Sequence, residues 1–242
     1  MPYGAGERNK WDLFPADNPT APCLVFIHGG YWQMRSREDF SCFAEGVLAR
    51  GWSAALPGYT LAPAATLTQI VGELRRALDW LAAQGGAQGI TGPVIISGWS
   101  AGGHLAALLL DHPSVRAGLA ISGVYELGPI RDTYLNERLK LTEDEVATLS
   151  PLRLLGVNKA LAITYGTADS DEVARAFRDD VARDYEMMSP GSAPRWHVYF
   201  WHWAGVGQAC PTGFSRVHIR GVERRRSDRR GRARRSLVAP RR

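Results

Sequence analysis

No long hydrophobic run occurs in this sequence. None of its apolar stretches approaches the roughly 18 uninterrupted residues that a membrane-spanning helix needs, so no membrane association is expected. Cysteine is also scarce. Cys23, Cys42 and Cys210 are an odd number with no C-x-x-C pair, which does not make a disulfide framework. Cys23 and Cys42 fall in apolar-periodic segments and read as reduced core residues. The first residues, Met1 to Arg8, lack the charged-then-apolar order of a secretory signal, and a cytoplasmic protein is the expectation. No internal repeat is found.

Charge is present but uneven. The formal net charge is +5 over 242 residues. Residues 216–242 hold twelve arginines against Glu223 and Asp228, a net +10, which leaves −5 on the body. The high isoelectric point therefore describes a tail and not the body's partners. Non-specific nucleic-acid binding is expected only through that tail, and charge alone supports it. We read residues 1–204 as one domain. Residues 205–242 read as an unpatterned, Arg-rich tail that is disordered, because such a segment cannot bury enough apolar surface to offset its ordering entropy.

Within the body, strand and helix patterns alternate. Cys23–Ile27 is a continuous apolar run, as a central strand should be. Glu38 to Arg50 reads as an amphipathic helix stopped by Gly51, with Phe40, Phe43, Ala44, Val47 and Leu48 on one face. Trp52–Leu56 reads as the next strand. Thr66 and Gln69 form a capping box that opens a helix with Leu67, Ile70, Val71, Leu74, Leu78 and Leu81 on its inner face. Strands are expected at Val94–Ser97, Ala117–Ser122, Leu161–Tyr165 and His197–Trp201, and a helix over Asp171–Met188. Residues 124–158 read as irregular, with one helix signal at Thr142 and Glu145. This alternation implies a mostly parallel central sheet with helices on both faces.

The chemistry centres on Gly98-Trp99-Ser100-Ala101-Gly102. It lies between the Val94 strand and a run of good helix formers, His104–Leu110. A strand turning straight into a helix puts Ser100 on a sharp corner, with its oxygen above the sheet at the positive end of the helix. A serine nucleophile also needs an oxyanion site, an acid and a base. His28-Gly29-Gly30-Tyr31-Trp32 follows directly on the first central strand. Paired glycines let N–H groups turn toward a carbonyl oxygen, so Gly29, Gly30 and Ala101 are the natural donors. His28 reads as fixing the loop rather than shuttling protons. Tyr31, Trp32 and Trp99 are either an aromatic wall for a planar substrate or core residues.

Asp169 lies at the tip of the 161–165 strand and is favoured as the acid over Asp171, which suits the first turn of the next helix. Only His197, His202 and His218 follow the acid. His202, just past the last strand, is in the right kind of loop. An incidental residue between Trp201 and Trp203 is the competing reading. His104 belongs to the serine turn and precedes the acid.

With these residues placed, the chain resembles the α/β-hydrolase superfamily, and within it the kynurenine formamidase (arylformamidase) group. The matching motifs are His28–Trp32, Tyr59-Thr60-Leu61-Ala62-Pro63, Gly98–Ala107 and Ile121–Leu127. The likeness runs from about Tyr3 to Met188. It implies Ser100 as nucleophile, Asp169 as acid and His28–Trp32 as oxyanion loop, with no metal and no cofactor. It also implies hydrolysis of N-formyl-L-kynurenine to L-kynurenine and formate, and, since members are often dimers, a homodimer.

Two departures stand out. The sequence starts close to the first strand, so the expectation is that it lacks an N-terminal segment seen in relatives. Where the family has a His-Phe loop and a closing helix, this sequence reads His202-Trp203 and the basic tail. An out-of-frame or misassembled 3′ end would give that switch. The alternatives are therefore a generic carboxylesterase of the same fold, acting on a small ester, or a hydrolase-fold protein impaired by an altered C-terminus.

Overall fold

The computed structural model describes residues 1–154, 157–167, 195–201 and 215–217. The expected helix over 171–188, Asp169, His202, Cys210 and all of the Arg-rich tail except residues 215–217 lie outside the described residues.

In chain order the main elements are β1 (Trp11–Phe14), β2 (Cys23–Ile27), α1 (Cys42–Leu48), β3 (Ser53–Pro57), α2 (Leu67–Gln84), β4 (Val94–Trp99), α3 (Ala101–Leu108) and β5 (Val115–Ile121). Three short helices follow, α4 (Gly128–Arg131), α5 (Asn136–Leu139) and α6 (Glu143–Leu149), then β6 (Leu161–Thr167), β7 (Arg195–Trp201) and β8 (Ser215–Val217). The strands form one sheet in the order β1-β3-β2-β4-β5-β6-β7-β8. From β3 to β6 neighbours are parallel, while β1 at one edge and β7 and β8 at the other are antiparallel.

This order decides where the helices go. From β2 the chain steps one way to β3, then reverses past β2 to β4 and continues to β5. Crossovers between parallel strands are right-handed, so reversing direction moves the helix to the other face. The packing follows. Phe26, Ala54 and Leu56 meet Ala44 of α1 on one face. Val25, Ile27, Ala55 and Ile96 meet Leu74 and Leu78 of α2 and Leu105 of α3 on the other.

Local signals explain most boundaries. Thr66 accepts from the Gln69 N–H at 3.2 Å and Gln69 returns the bond to the Thr66 N–H at 2.8 Å, so the capping box opens α2. Thr142 and Glu145 open α6 in the same way. Glu145 is buried, and its carboxylate also accepts from the N–H and hydroxyl of Thr68 at 3.0 and 2.8 Å. One side chain thus caps two helices and docks α6 on the first turn of α2.

Three expectations are corrected. Residues 38–50 are not one helix. Arg37–Phe40 winds as a 3-10 turn, with Ser41 donating back to the Glu38 carbonyl, before α1 begins. Residues 124–158 carry three short helices and a 3-10 turn instead of one. Cys42, expected in the core, is exposed at the start of α1, while Cys23 is buried, and both are free. The four-residue edge strand β1 was not foreseen.

Leu74 is 1% exposed in the larger core, and Phe43 of α1 is 40% exposed. Leu74→Ala should therefore lower the unfolding free energy by about 2–5 kcal/mol in urea titrations. Phe43→Ala should cost well under half of that.

Candidate active site

Ligand sites in open α/β sheets form beyond the carboxyl ends of strands where the strand order reverses. Here that point lies between β2 and β4, whose registers bring Ile27 level with Gly98. The segments that leave these two strands are His28–Trp32 and Trp99–Ala101, so topology alone puts the two motifs side by side.

Ser100 has φ 55° and ψ −119°, a left-handed corner between β4 and α3. Its N–H donates to the Ile121 carbonyl at 2.9 Å, and its carbonyl accepts from the His104 N–H at 3.1 Å. The turn is so tight that side chains do not fit around it. A Cβ on Gly102 would stand 2.0 Å from the Ile27 carbonyl, and one on Gly98 would stand 2.2 Å from that of Gly102. Ser100 itself is half-buried.

The expected oxyanion loop lies directly against this corner. A Cβ on Gly29 would stand 2.7 Å from the Trp99 carbonyl and 3.2 Å from Ser100 Cβ. Ala101 is the first residue of α3, so its N–H has no acceptor within the helix. Beyond Gly29 the loop coils through positive φ at Gly30 (112°), Tyr31 (54°), Trp32 (58°) and Arg35 (73°). Non-glycine residues there cost on the order of 1 kcal/mol each and persist only where surroundings over-determine them. The surroundings do so. The Gln33 and Met34 N–H groups donate to the Gly30 carbonyl, and the Ala62 N–H to that of Trp32. The Gln33 side chain donates to the Leu135 carbonyl at 2.9 Å. Arg8 bonds the carbonyls of Tyr59 and Arg35.

The aromatic residues divide. Trp32 is core, 1% exposed, while Tyr31 and Trp99 are 41% and 42% exposed beside the serine. His28 is buried and stacks on Tyr59 with ring centres 4.2 Å apart. Its Nδ1 lies 2.8 Å from the Gly29 carbonyl, which can only accept, so Nδ1 carries the proton. Pinning that carbonyl fixes the Gly29–Gly30 peptide plane and with it the Gly30 N–H. The Tyr59 hydroxyl donates to the His28 carbonyl at 3.0 Å. Burial pulls the pKa of His28 and of His104 down to about 4, and both are neutral near pH 7. The loop-fixing role expected of His28 is what its contacts describe. Tyr59 and Gln33 were not singled out in that role, since nothing in their spacing shows which ring or carbonyl they meet.

The acid and base positions are less defined. Asp169 comes two residues after the end of β6 in sequence, and His202 one residue after the end of β7, both outside the described residues. The register of β7 bears on the second. Because β7 runs antiparallel to β6, Trp201 pairs with Leu161 at the amino end of β6, and Arg195 with Thr167 at its carboxyl end. His202 was expected in a loop just past the last strand, where sites in open sheets form; here that end of β7 is level with the amino end of β6. His197 is inside β7, opposite Tyr165, and His218 lies outside the described residues. Among the described residues no cluster of three or more His, Cys, Asp or Glu could hold a metal, and no helix is long and apolar enough to cross a membrane.

A family model, BD-FAE, matches residues 13–112. Kynurenine formamidase of Danio rerio is 32% identical over 185 residues, covering 71% of this chain and 62% of that protein. That of Salmo salar is 31% identical over 195 residues, covering 74% and 65%. The chain thus spans less than two thirds of these relatives' length. Among solved structures, a proposed thioesterase from Silicibacter sp. TM1040 superposes with a TM-score of 0.64 at 31% identity, over 73% of this chain and 70% of that one. Thermogutta terrifontis esterase 2 superposes with a TM-score of 0.57 at 25% identity, over 73% and 75%. The strand order, the serine corner and these likenesses define one class: the chain belongs to the α/β-hydrolase superfamily. Within it the chain is similar to the kynurenine formamidases over the part of their length that it spans.

The two buried histidines make stability depend on pH. Both fold with a pKa below the ordinary 6.5, so between about 6.5 and 4 the unfolded chain binds more protons. Their contribution is fully present above pH 6.5 and is lost on acidification. Urea unfolding between pH 6.5 and 5.5 should show stability falling by about 1 kcal/mol per pH unit for each histidine. His104→Gln should make that slope shallower.

Proposed function

We propose that this chain is a serine hydrolase that cleaves an aryl formamide, N-formyl-L-kynurenine, to L-kynurenine and formate. The observation that carries the hydrolase reading is the strained corner of Ser100 with the Gly29 backbone packed against it. The substrate is supported by the kynurenine formamidase relatives.

In this reading Ser100 Oγ attacks the formyl carbon while its proton passes to a histidine oriented by Asp169. His202 is the candidate, set against a β7 register that leaves Trp201, the residue before it, at the amino end of β6. The oxyanion accepts hydrogen bonds from Gly29, Gly30 and Ala101 N–H groups, each worth roughly 3–4 kcal/mol in comparable sites. The carbon–nitrogen bond breaks, the histidine returns the proton to the aniline nitrogen, and a formyl ester stays on Ser100. Water, deprotonated by the same histidine, attacks the ester. Formate leaves and Ser100 regains its proton. Tyr31 and Trp99, exposed beside Ser100, offer faces for the aryl ring. A homodimer is part of the same proposal.

A fluorophosphonate probe should label the full chain at Ser100 and leave Ser100→Ala unlabelled. Absence of Ser100-dependent labelling would sink the hydrolase reading. N-formyl-L-kynurenine should be hydrolysed faster than a short p-nitrophenyl ester, whereas ester turnover alone would make the protein a carboxylesterase. His202→Ala should reduce turnover by about 10²-fold or more. An unchanged rate would remove His202 as the base.

A further inference from the structure

The oxyanion loop and the nucleophile helix meet a second time, behind the reacting atoms. His104 stands one turn into α3, fully buried. The rings of His104 and Trp32 meet edge to face, with centres 5.1 Å apart and planes at 86°. On its other side, His104 Nε2 lies 2.8 Å from the Leu149 carbonyl at the end of α6. A carbonyl only accepts, so Nε2 carries the proton and donates. One ring thus touches the oxyanion loop, is covalently part of the nucleophile helix, and is bonded to the segment 124–154. Gln33, next to Trp32, closes the same circuit through its bond to the Leu135 carbonyl.

We propose that His104 is a positioning residue that sets the oxyanion donors against Ser100, by locking Trp32 to α3 and α3 to Leu149. This rests on the serine-hydrolase reading above. His104 needs no contact with substrate. Beyond Gly29 the backbone coils through four positive-φ residues, Gly30 among them, and the loop holds its position only as well as the fixed points along that coil. Trp32 is the bulkiest of these, and its wall is the His104 ring. With that wall removed, Trp32 has room to shift, and a displacement of about 1 Å at a reacting group costs on the order of 10²-fold in rate.

The test measures the second-order rate of fluorophosphonate labelling at Ser100 in the full chain, alongside the thermal midpoint. His104→Ala should slow labelling by about 10-fold or more per folded molecule. His104→Gln keeps a donor near the Nε2 position and should restore most of the rate. Trp32→Phe should also slow labelling, and its effect should not multiply with that of His104→Ala, because both act through one contact. If His104→Ala does not fold, His104→Leu, which fills space but removes the donor and the ring edge, takes its place in the same cycle with Trp32→Phe. Wild-type labelling rates in the folded fraction of His104→Ala, with only the midpoint lowered, would mean a purely structural role and overturn the proposal. So would multiplicative effects with Trp32→Phe. A wild-type chain with no Ser100-dependent labelling would overturn the hydrolase reading and this inference together.

Discussion

Three backbone segments meet at the active corner with no side chain between them. The end of β2, the start of α3 and the peptide before Ser100 approach so closely that Gly29, Gly98 and Gly102 have no room for a Cβ. Everything chemical in this half of the site follows from that contact. The proposed oxyanion donors are peptide N–H groups, and their distance from Ser100 is set by main chain rather than by rotatable side chains. Such donors need little reorganisation when charge develops, which is what makes preorganised dipoles effective. The corner's positive φ at Ser100 costs on the order of 1 kcal/mol, offset by the Ser100 N–H bond to Ile121 and by the burial of nearly all of α3.

The sheet explains why such a contact can exist. Strands β2 and β4 are hydrogen-bonded neighbours, yet a whole strand and two helices separate them in sequence. The reversal of direction at this pair leaves no crossover connection above its carboxyl ends. The loops that emerge there are free to face each other. The same reversal puts α1 and α2 on opposite faces, so β2 and β4 are rigid precisely because they are central, while their ends stay open. The segment 124–154 then closes on this frame from the side, held by the buried Glu145 carboxylate on Thr68 and by the Gln33 and His104 side chains on the Leu135 and Leu149 carbonyls.

Much of this was legible in the sequence, for reasons that differ by element. Strands β2 and β4 announce themselves because a strand buried on both faces is apolar without alternation. The α2 start was readable to the residue, since a capping box is a local bond between positions three apart. Gly98, Gly102 and Gly29 were readable as a corner and a loop because glycine marks close approach. What escaped depended on partners distant in sequence. Trp32 belongs to the core and Trp99 to the surface, although both flank catalytic motifs, and only the three-dimensional packing separates them. Cys42 carries an apolar neighbourhood in sequence but starts a seven-residue helix on its exposed side. The direction of β7 also escaped, because a strand's residues encode burial and not polarity relative to a neighbour.

That last point divides the site into two halves with different origins. The proposed nucleophile and oxyanion donors come from two short stretches, 27–32 and 98–104, held together by backbone contact. The acid and base must instead be delivered as side chains from beyond the ends of β6 and β7. An antiparallel β7 of seven residues carries the chain about 20 Å back toward the amino end of β6, away from Ser100. The two halves also differ in what they contribute. Oxyanion and binding contacts alone sustain roughly 10³–10⁴-fold acceleration over water in sites stripped of their triad. In the proposed mechanism the corner at Ser100 therefore stabilises the tetrahedral oxyanion through local backbone, while the power of the serine as a nucleophile is set by residues that share none of its local contacts.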